Sequence, residues 1–122
     1  MTIRELYANI GGNYDHAVQV MKMEKLIDRY VRKLKNSGVG DQLAAAGETM
    51  DPEKLFEHAH AMKGVCGNLG LDDLADAANI ITEEFRPGAA RKLSDAEVKE
   101  QLAKIDAMYR RAVDGIAAYE AQ

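Results

Sequence analysis

A single cysteine, Cys66, occurs in the 122 residues, so no internal disulfide can brace the fold, and a reducing cytoplasm fits. Neither proline, Pro52 nor Pro87, falls inside an apolar periodic stretch; both sit where helices start or stop. There is no basic excess. Sixteen Lys and Arg against twenty Asp and Glu give a net charge of −4, which argues against a nucleic-acid surface. No apolar run approaches the roughly 18 residues of a membrane span, and Met1-Thr2-Ile3-Arg4-Glu5 has no apolar signal-peptide core. No Walker-type glycine loop occurs, so ATP binding has no support and a kinase catalytic domain is absent. No segment alternates with period two and no two-residue hairpin signal joins apolar runs, which excludes an ordinary β fold.

What remains is helical periodicity in a chain of ordinary globular composition, 47% hydrophobic and 30% charged. Ile3, Leu6, Tyr7 and Ile10 predict a short helix over 2–10, stopped by Gly11-Gly12-Asn13. Val20, Met23, Ile27, Tyr30, Val31 and Leu34 predict one over about 16–35, with Asp15 as its cap and a break near Met21. Residues 41–46 predict a short helix closed by Gly47. Asp51-Pro52-Glu53 is an N-cap, a proline at the first helical position and an acidic first turn. That helix runs to about Leu69, where Gly70 breaks it. The next begins at Asp72 or Asp73 and ends at Pro87-Gly88, leaving Arg86 at or just past its last turn. Ser94 with Glu97 forms a capping box for the last helix. Its stripe runs Val98, Leu102, Ile105, Tyr109, Ala112, Ile116, Tyr119, with Gly115 a weak point where the end would fray. The expected fold is all-α: one domain over 1–122, an antiparallel up-and-down four-helix bundle with a short extra N-terminal helix over one end.

The stretch most informative about function is Leu55–Gly70. Leu55, Ala59, Met62, Cys66 and Leu69 are spaced 4-3-4-3, one continuous stripe on a helix. Stepping 100° per residue from that stripe puts His60 roughly 140° away, facing solvent. Gly64 and Gly67, at i+4 and i+7, share its face, and Lys63, at i+3, flanks it nearer the core edge. Two glycines inside a helix each cost about 1 kcal/mol relative to alanine. A solvated face has no need of them. The face is bare around a histidine with one cation beside it, as a nucleophilic imidazole would be if another protein's active site had to close over it.

Other chemistries fit less well. His58, His60 and Cys66 are close in sequence, but residues two apart on a helix point about 200° apart, whereas helical metal ligands need i, i+3 or i, i+4 spacing. No metal site is expected, and His58 reads as a histidine hydrogen-bonded at the core boundary. Cys66 lies in the core stripe with no base beside it. Asp72-Asp73 and Glu83-Glu84 read as a cap and a solvated face. Phosphoryl transfer through His60 remains. A neutral imidazole nitrogen, available near physiological pH, can attack an acyl phosphate in line. The reaction then depends on positioning and on cations around the phosphoryl group. Lys63 can supply one, and Arg86 a second from the neighbouring helix end.

The pattern Ala59-His60-Ala61-Met62-Lys63-Gly64, continued by Gly70-Leu71 and Leu74, resembles the histidine-containing phosphotransfer (HPt) family. The wider run from Gly12-Asn13-Tyr14 to Arg86 is similar to small stand-alone bacterial members. The resemblance implies that His60 is the phosphoacceptor, that Lys63 contacts the phosphoryl group, and that Gly64 admits a receiver domain, with Gly67 on the same docking face. Arg86 falls where some members place a second cation. Thr82 falls where some place a glutamine that hydrogen-bonds the imidazole, although threonine is shorter. It further implies a phosphocarrier rather than an enzyme, a cytoplasmic monomer with no cofactor of its own. Its partners would be response-regulator receiver domains or a hybrid histidine kinase, and the receiver would bring the catalytic aspartate and Mg²⁺. The competing reading is a helical adaptor of the same fold whose His60 is not used.

Overall fold

A computed structural model describes all residues, 1–122, and contains seven helices and no strand. They are α1 (Ile3–Ile10), α2 (Tyr14–Met21), α3 (Glu24–Ser37), α4 (Val39–Thr49), α5 (Pro52–Asn68), α6 (Asp72–Glu84) and α7 (Asp95–Glu120). Helices α4 to α7 form the up-and-down bundle. Gly40 of α4 lies against Tyr109 of α7, and Gly47 against Leu102, so the two run in opposite directions. In the same way Gly67 of α5 faces Ala75 of α6, and Phe56 faces Arg86. Gln101 of α7 donates to the Ala77 carbonyl of α6 at 3.0 Å. Helices α1 to α3 close the end where α5 and α7 finish. One buried cluster takes residues from all seven helices.

The helix starts obey local chemistry. Asp51 accepts from the amides of Glu53 and Lys54 ahead of Pro52. Ser94 and Glu97 form the expected capping box, and Thr2 and Glu5 form another that the sequence reading passed over. Asn13, not Asp15, caps α2, accepting from the His16 amide at 3.0 Å. Leu71 is the N-cap of α6, and Asp72 instead accepts from Asn13 and pairs with His16 at 2.6 Å, tying α2 to α6.

The break expected near Met21 is present: the stretch 16–35 falls in two helices, because Lys22 takes a left-handed conformation, φ 71°, and its amide closes α2 on Val18. The turn lets α3 bury Ile27, Val31 and Leu34 while α2 packs Ala17 over the end of α5, and it leaves Val20, Met23 and Tyr30 of the assumed core stripe exposed. The short helix foreseen over 41–46 runs from Val39 to Thr49 and takes the fourth place in the bundle. Gly40 and Gly47, seven residues apart, lie on one face of it; a Cβ on Gly47 would sit 2.6 Å from Leu102 Cδ1. Gly47 is thus a close-approach residue rather than a helix stop. So is Gly115: α7 does not fray there, and the missing side chain admits Ile10 of α1.

The end of α5 is anchored firmly. Gly70 has φ 69°, and a Cβ there would meet the Asn13 carbonyl and Ala17. The Leu71 amide returns to the Cys66 carbonyl at 2.9 Å, the closing bond of a glycine-terminated helix. The buried Tyr7 hydroxyl donates to the Leu69 carbonyl at 2.6 Å. Helix α5 is therefore fixed at both ends, which holds its middle turns in a set orientation.

At the other end of the bundle, Glu84 organises the connection between α6 and α7. Its buried carboxylate accepts from the amides of Lys92 and Leu93, at 3.0 and 2.9 Å, and from Arg91 Nε at 2.7 Å. Burial alone would push its acidity down, but the Leu93 amide, Arg91 and the Lys92 amide outweigh it and hold the carboxyl below the ordinary glutamate range. Glu84→Gln should cost about 2 kcal/mol of stability at neutral pH, the scale of one charge-assisted hydrogen bond lost in a buried site. Because the folded-state value is depressed, this contribution is complete above the unfolded glutamate value and is lost as pH falls through the folded one. Urea melts of both proteins at neutral and strongly acidic pH should show the gap closing on acidification. A gap that persists in acid would mean the charge is not what matters.

Candidate functional site

His60 lies in the middle of α5 and is exposed, while Ala59 and Met62 on either side of it are fully buried. Its ring is not loose. Phe56, one turn earlier, stacks on it with ring centroids 5.4 Å apart and planes 10° from parallel. The Arg86 guanidinium lies over Phe56, 5.3 Å from the ring centroid. A column thus runs from Arg86 through Phe56 to His60. The half-buried Phe56 favours the imidazole rotamer that keeps the stack, by the ~0.5–1.5 kcal/mol typical of a ring pair.

Lys63 is half-buried on the α6 side of His60. The ion pair at this site joins Arg86 to Glu83: Nη2 and Nε donate to the two carboxylate oxygens at 2.8 and 3.0 Å. Arg86 holds the Glu83 carboxyl below its ordinary range, and Lys63 and His60 act in the same direction. Four side chains, His60, Lys63, Glu83 and Arg86, therefore share one electrostatic neighbourhood across the α5–α6 seam.

The glycines differ. Gly64 is exposed, and a Cβ there would meet nothing within 4 Å. Gly67 is half-buried and turned toward α6, where a Cβ would just touch Ala75 at 4.0 Å. Gly64 leaves open surface beside His60, whereas Gly67 lies at the seam. On the opposite flank, an apolar hollow runs between α2, α3 and α5, lined by Val20, Leu26, Tyr30, Val65 and Leu69. Val20 and Val65 are 42% and 41% exposed. This side of His60 is apolar; the α6 side is charged.

The structure does not bring Thr82 to the imidazole. Thr82 is fully buried, and its hydroxyl donates to the Ala78 carbonyl one turn back at 3.0 Å, the usual refuge of a helical threonine too short to reach elsewhere. His58 is half-buried and makes no hydrogen bond of the kind expected. Cys66 is fully buried, and burial pushes its thiol up to about 12, so it presents no thiolate nucleophile. No three His, Cys, Asp or Glu side chains converge as metal ligands, and no helix is long and apolar enough to cross a membrane.

Two site residues escaped the sequence reading. Phe56 stands at i−4 from His60, a spacing that puts the two rings on one face. In the sequence Glu83 reads with Glu84 as a solvated face, and only the register of α6 against α5 shows that it faces the site.

The site is thus an exposed, ring-stacked histidine on the open face of a four-helix bundle, with cations beside it and bare helix around it. Residues 20–115 match the family model described as Hpt domain, and the chain belongs to that family. Members of the family act as phosphocarriers in histidine phosphorelays rather than as catalysts. No curated protein and no solved structure matches the chain significantly.

Proposed function

We propose that this protein is a cytoplasmic, monomeric phosphorelay intermediate in which His60 accepts a phosphoryl group from the aspartate of one receiver domain and passes it to another. The observation that carries this reading is the placement of His60, exposed beside the bare Gly64 surface and held by Phe56. A neutral imidazole nitrogen attacks phosphorus; the bond to the aspartyl oxygen breaks as the phosphorus–nitrogen bond forms. Either direction is open, because both the acyl phosphate and the phosphoimidazole are high in transfer potential. Phe56 limits the ring's motion, so less orientational freedom is lost in reaching the in-line geometry. Lys63 swings from the seam to meet the phosphoryl oxygens, and Arg86 can reach the same charge once it leaves Glu83. The receiver contributes the acceptor or donor aspartate and a Mg²⁺ ion, which offsets charge on the phosphoryl oxygens. The apolar hollow of Val20, Leu26, Tyr30 and Val65 gives the receiver a surface to cover, with Gly64 leaving room for close approach.

Lys63→Ala tests the cation. One charge-assisted contact to a phosphoryl oxygen is worth about 1.5–3 kcal/mol, roughly ten- to a hundredfold in rate when made in the transition state. Single-turnover transfer from a phosphorylated receiver should slow by that factor while the thermal melt is unchanged. Arg86→Ala, at an exposed ion pair, should slow it only a few-fold. Equal rates for wild type and Lys63→Ala would remove the lysine from the mechanism. An intact fold that binds receivers but never takes phosphate would favour the adaptor reading.

A further inference from the structure

The geometry points to Glu83 as a positioning residue that restrains phosphorylation of His60 by holding Arg86 away from it. This inference rests on the reading of His60 as phosphoacceptor and adds to it an internal competitor for the phosphoryl group.

Arg86 is the only arginine placed against the column that ends at His60: its guanidinium covers Phe56, and Phe56 covers the imidazole. A guanidinium is suited to bidentate capture of a phosphoryl group. Here two of its three nitrogens, Nε and Nη2, already engage the Glu83 carboxylate, which fixes the guanidinium on that side. Glu83 lies in the last turn of α6, three residues before Arg86, which stands just past the helix end; it is half exposed and shares the electrostatic neighbourhood of Lys63 and His60. An acidic residue at such a place is a poor choice if the site were built only to attract a phosphoryl group. Phosphorylated His60 would bring nearly two negative charges into a region where Glu83 already stands. With Arg86 kept on Glu83, the phosphoryl group meets the carboxylate's repulsion and only the free Nη1 edge of the guanidinium; with Arg86 drawn across, Glu83 is left unpaired. Both outcomes make the phosphohistidine less stable relative to the receiver's aspartyl phosphate. Glu83 thus biases the reversible exchange toward release and keeps the carrier from becoming a trap. The neighbouring Glu84 shows the contrast: it is buried, turned to the loop amides and Arg91, and takes no part in the site.

Glu83→Gln tests the idea, with Arg86→Ala and the double variant to complete a cycle. Each is incubated with a phosphorylated receiver until the distribution of phosphate between aspartate and His60 is constant. Glu83→Gln should raise the ratio of phosphohistidine to aspartyl phosphate by about three- to tenfold at low salt, the scale of one nearby surface charge with its partner freed. The gain should shrink as salt is raised. It should also largely vanish when Arg86 is already alanine, because nothing is then released. Thermal melts should show all three variants folded, as expected for exposed positions. An unchanged ratio for Glu83→Gln, in a protein whose wild type does take phosphate, would overturn the restraint while leaving the phosphocarrier reading intact. An equal gain with and without Arg86 would overturn the positioning role, since Glu83 would then act by repulsion alone. Failure of the wild type itself to take phosphate would instead count against the parent reading.

Discussion

His60→Gln should abolish phosphorylation by receiver domains and leave the bundle as stable as the wild type. The substitution removes the nucleophile, and no other side chain in the neighbourhood can replace it. Cys66 is buried with its thiol protonated, and His58 projects to another side of α5 because two helical steps turn a side chain by about 200°. Stability should hold because His60 is exposed and makes no hydrogen bond that the fold needs. The one packing interaction lost is the stack on Phe56, and glutamine can cover part of that ring. Phosphate incorporation from a labelled receiver, read beside a thermal melt, checks both halves. Residual transfer above about one part in a thousand would mean a second acceptor. A large drop in melting temperature would mean that His60 is a structural residue.

The second large effect concerns Gly64. If it only weakened α5, alanine there would stabilise the protein by up to about 1 kcal/mol and change nothing else. The open space around the position allows that gain, since an added Cβ meets no atom within 4 Å. Transfer should nevertheless fall, because the new side chain stands where a receiver has to close over His60. The loss should grow from alanine to valine to glutamine. Forcing bulk into a close-packed contact costs about 1–3 kcal/mol, so Gly64→Gln should reach roughly a hundredfold. Valine's poorer helix propensity must be subtracted with its melt. Gly67→Ala offers the comparison: the seam allows the methyl only ordinary contact with Ala75, so its effect on transfer should be smaller. Full transfer by a folded Gly64→Gln protein would be incompatible with a docking role for this face.

The site residues that could be read from the sequence were those set by one helix. The stripe of Leu55, Ala59, Met62, Cys66 and Leu69 is buried throughout, and that alone places His60, Lys63 and Gly64. Signals confined to one turn also held, as at Asp51-Pro52 and Ser94-Glu97. What one helix cannot reveal is its register against another. Glu83 and Thr82 are neighbours in sequence, but the α5–α6 seam turns the first to the site and buries the second. Gly47 and Gly115 looked like helix ends because glycine is most often read that way; packing against Leu102 and Ile10 gives them a different purpose. The break at Lys22 was legible only as a weak point near Met21, since a left-handed lysine is fixed by tertiary packing and not by local preference.

The most direct measurement of the central claim is the location of the phosphate on the wild-type chain. A panel of receiver domains is phosphorylated in vitro, each is mixed with the protein, and the transferred group is mapped by peptide mass spectrometry under conditions that preserve phosphoramidates. The expected result is transfer from at least one receiver, giving an acid-labile, base-stable phosphate on His60 alone. Phosphate on His58, or a folded protein that accepts none from any receiver in the panel, would contradict the account.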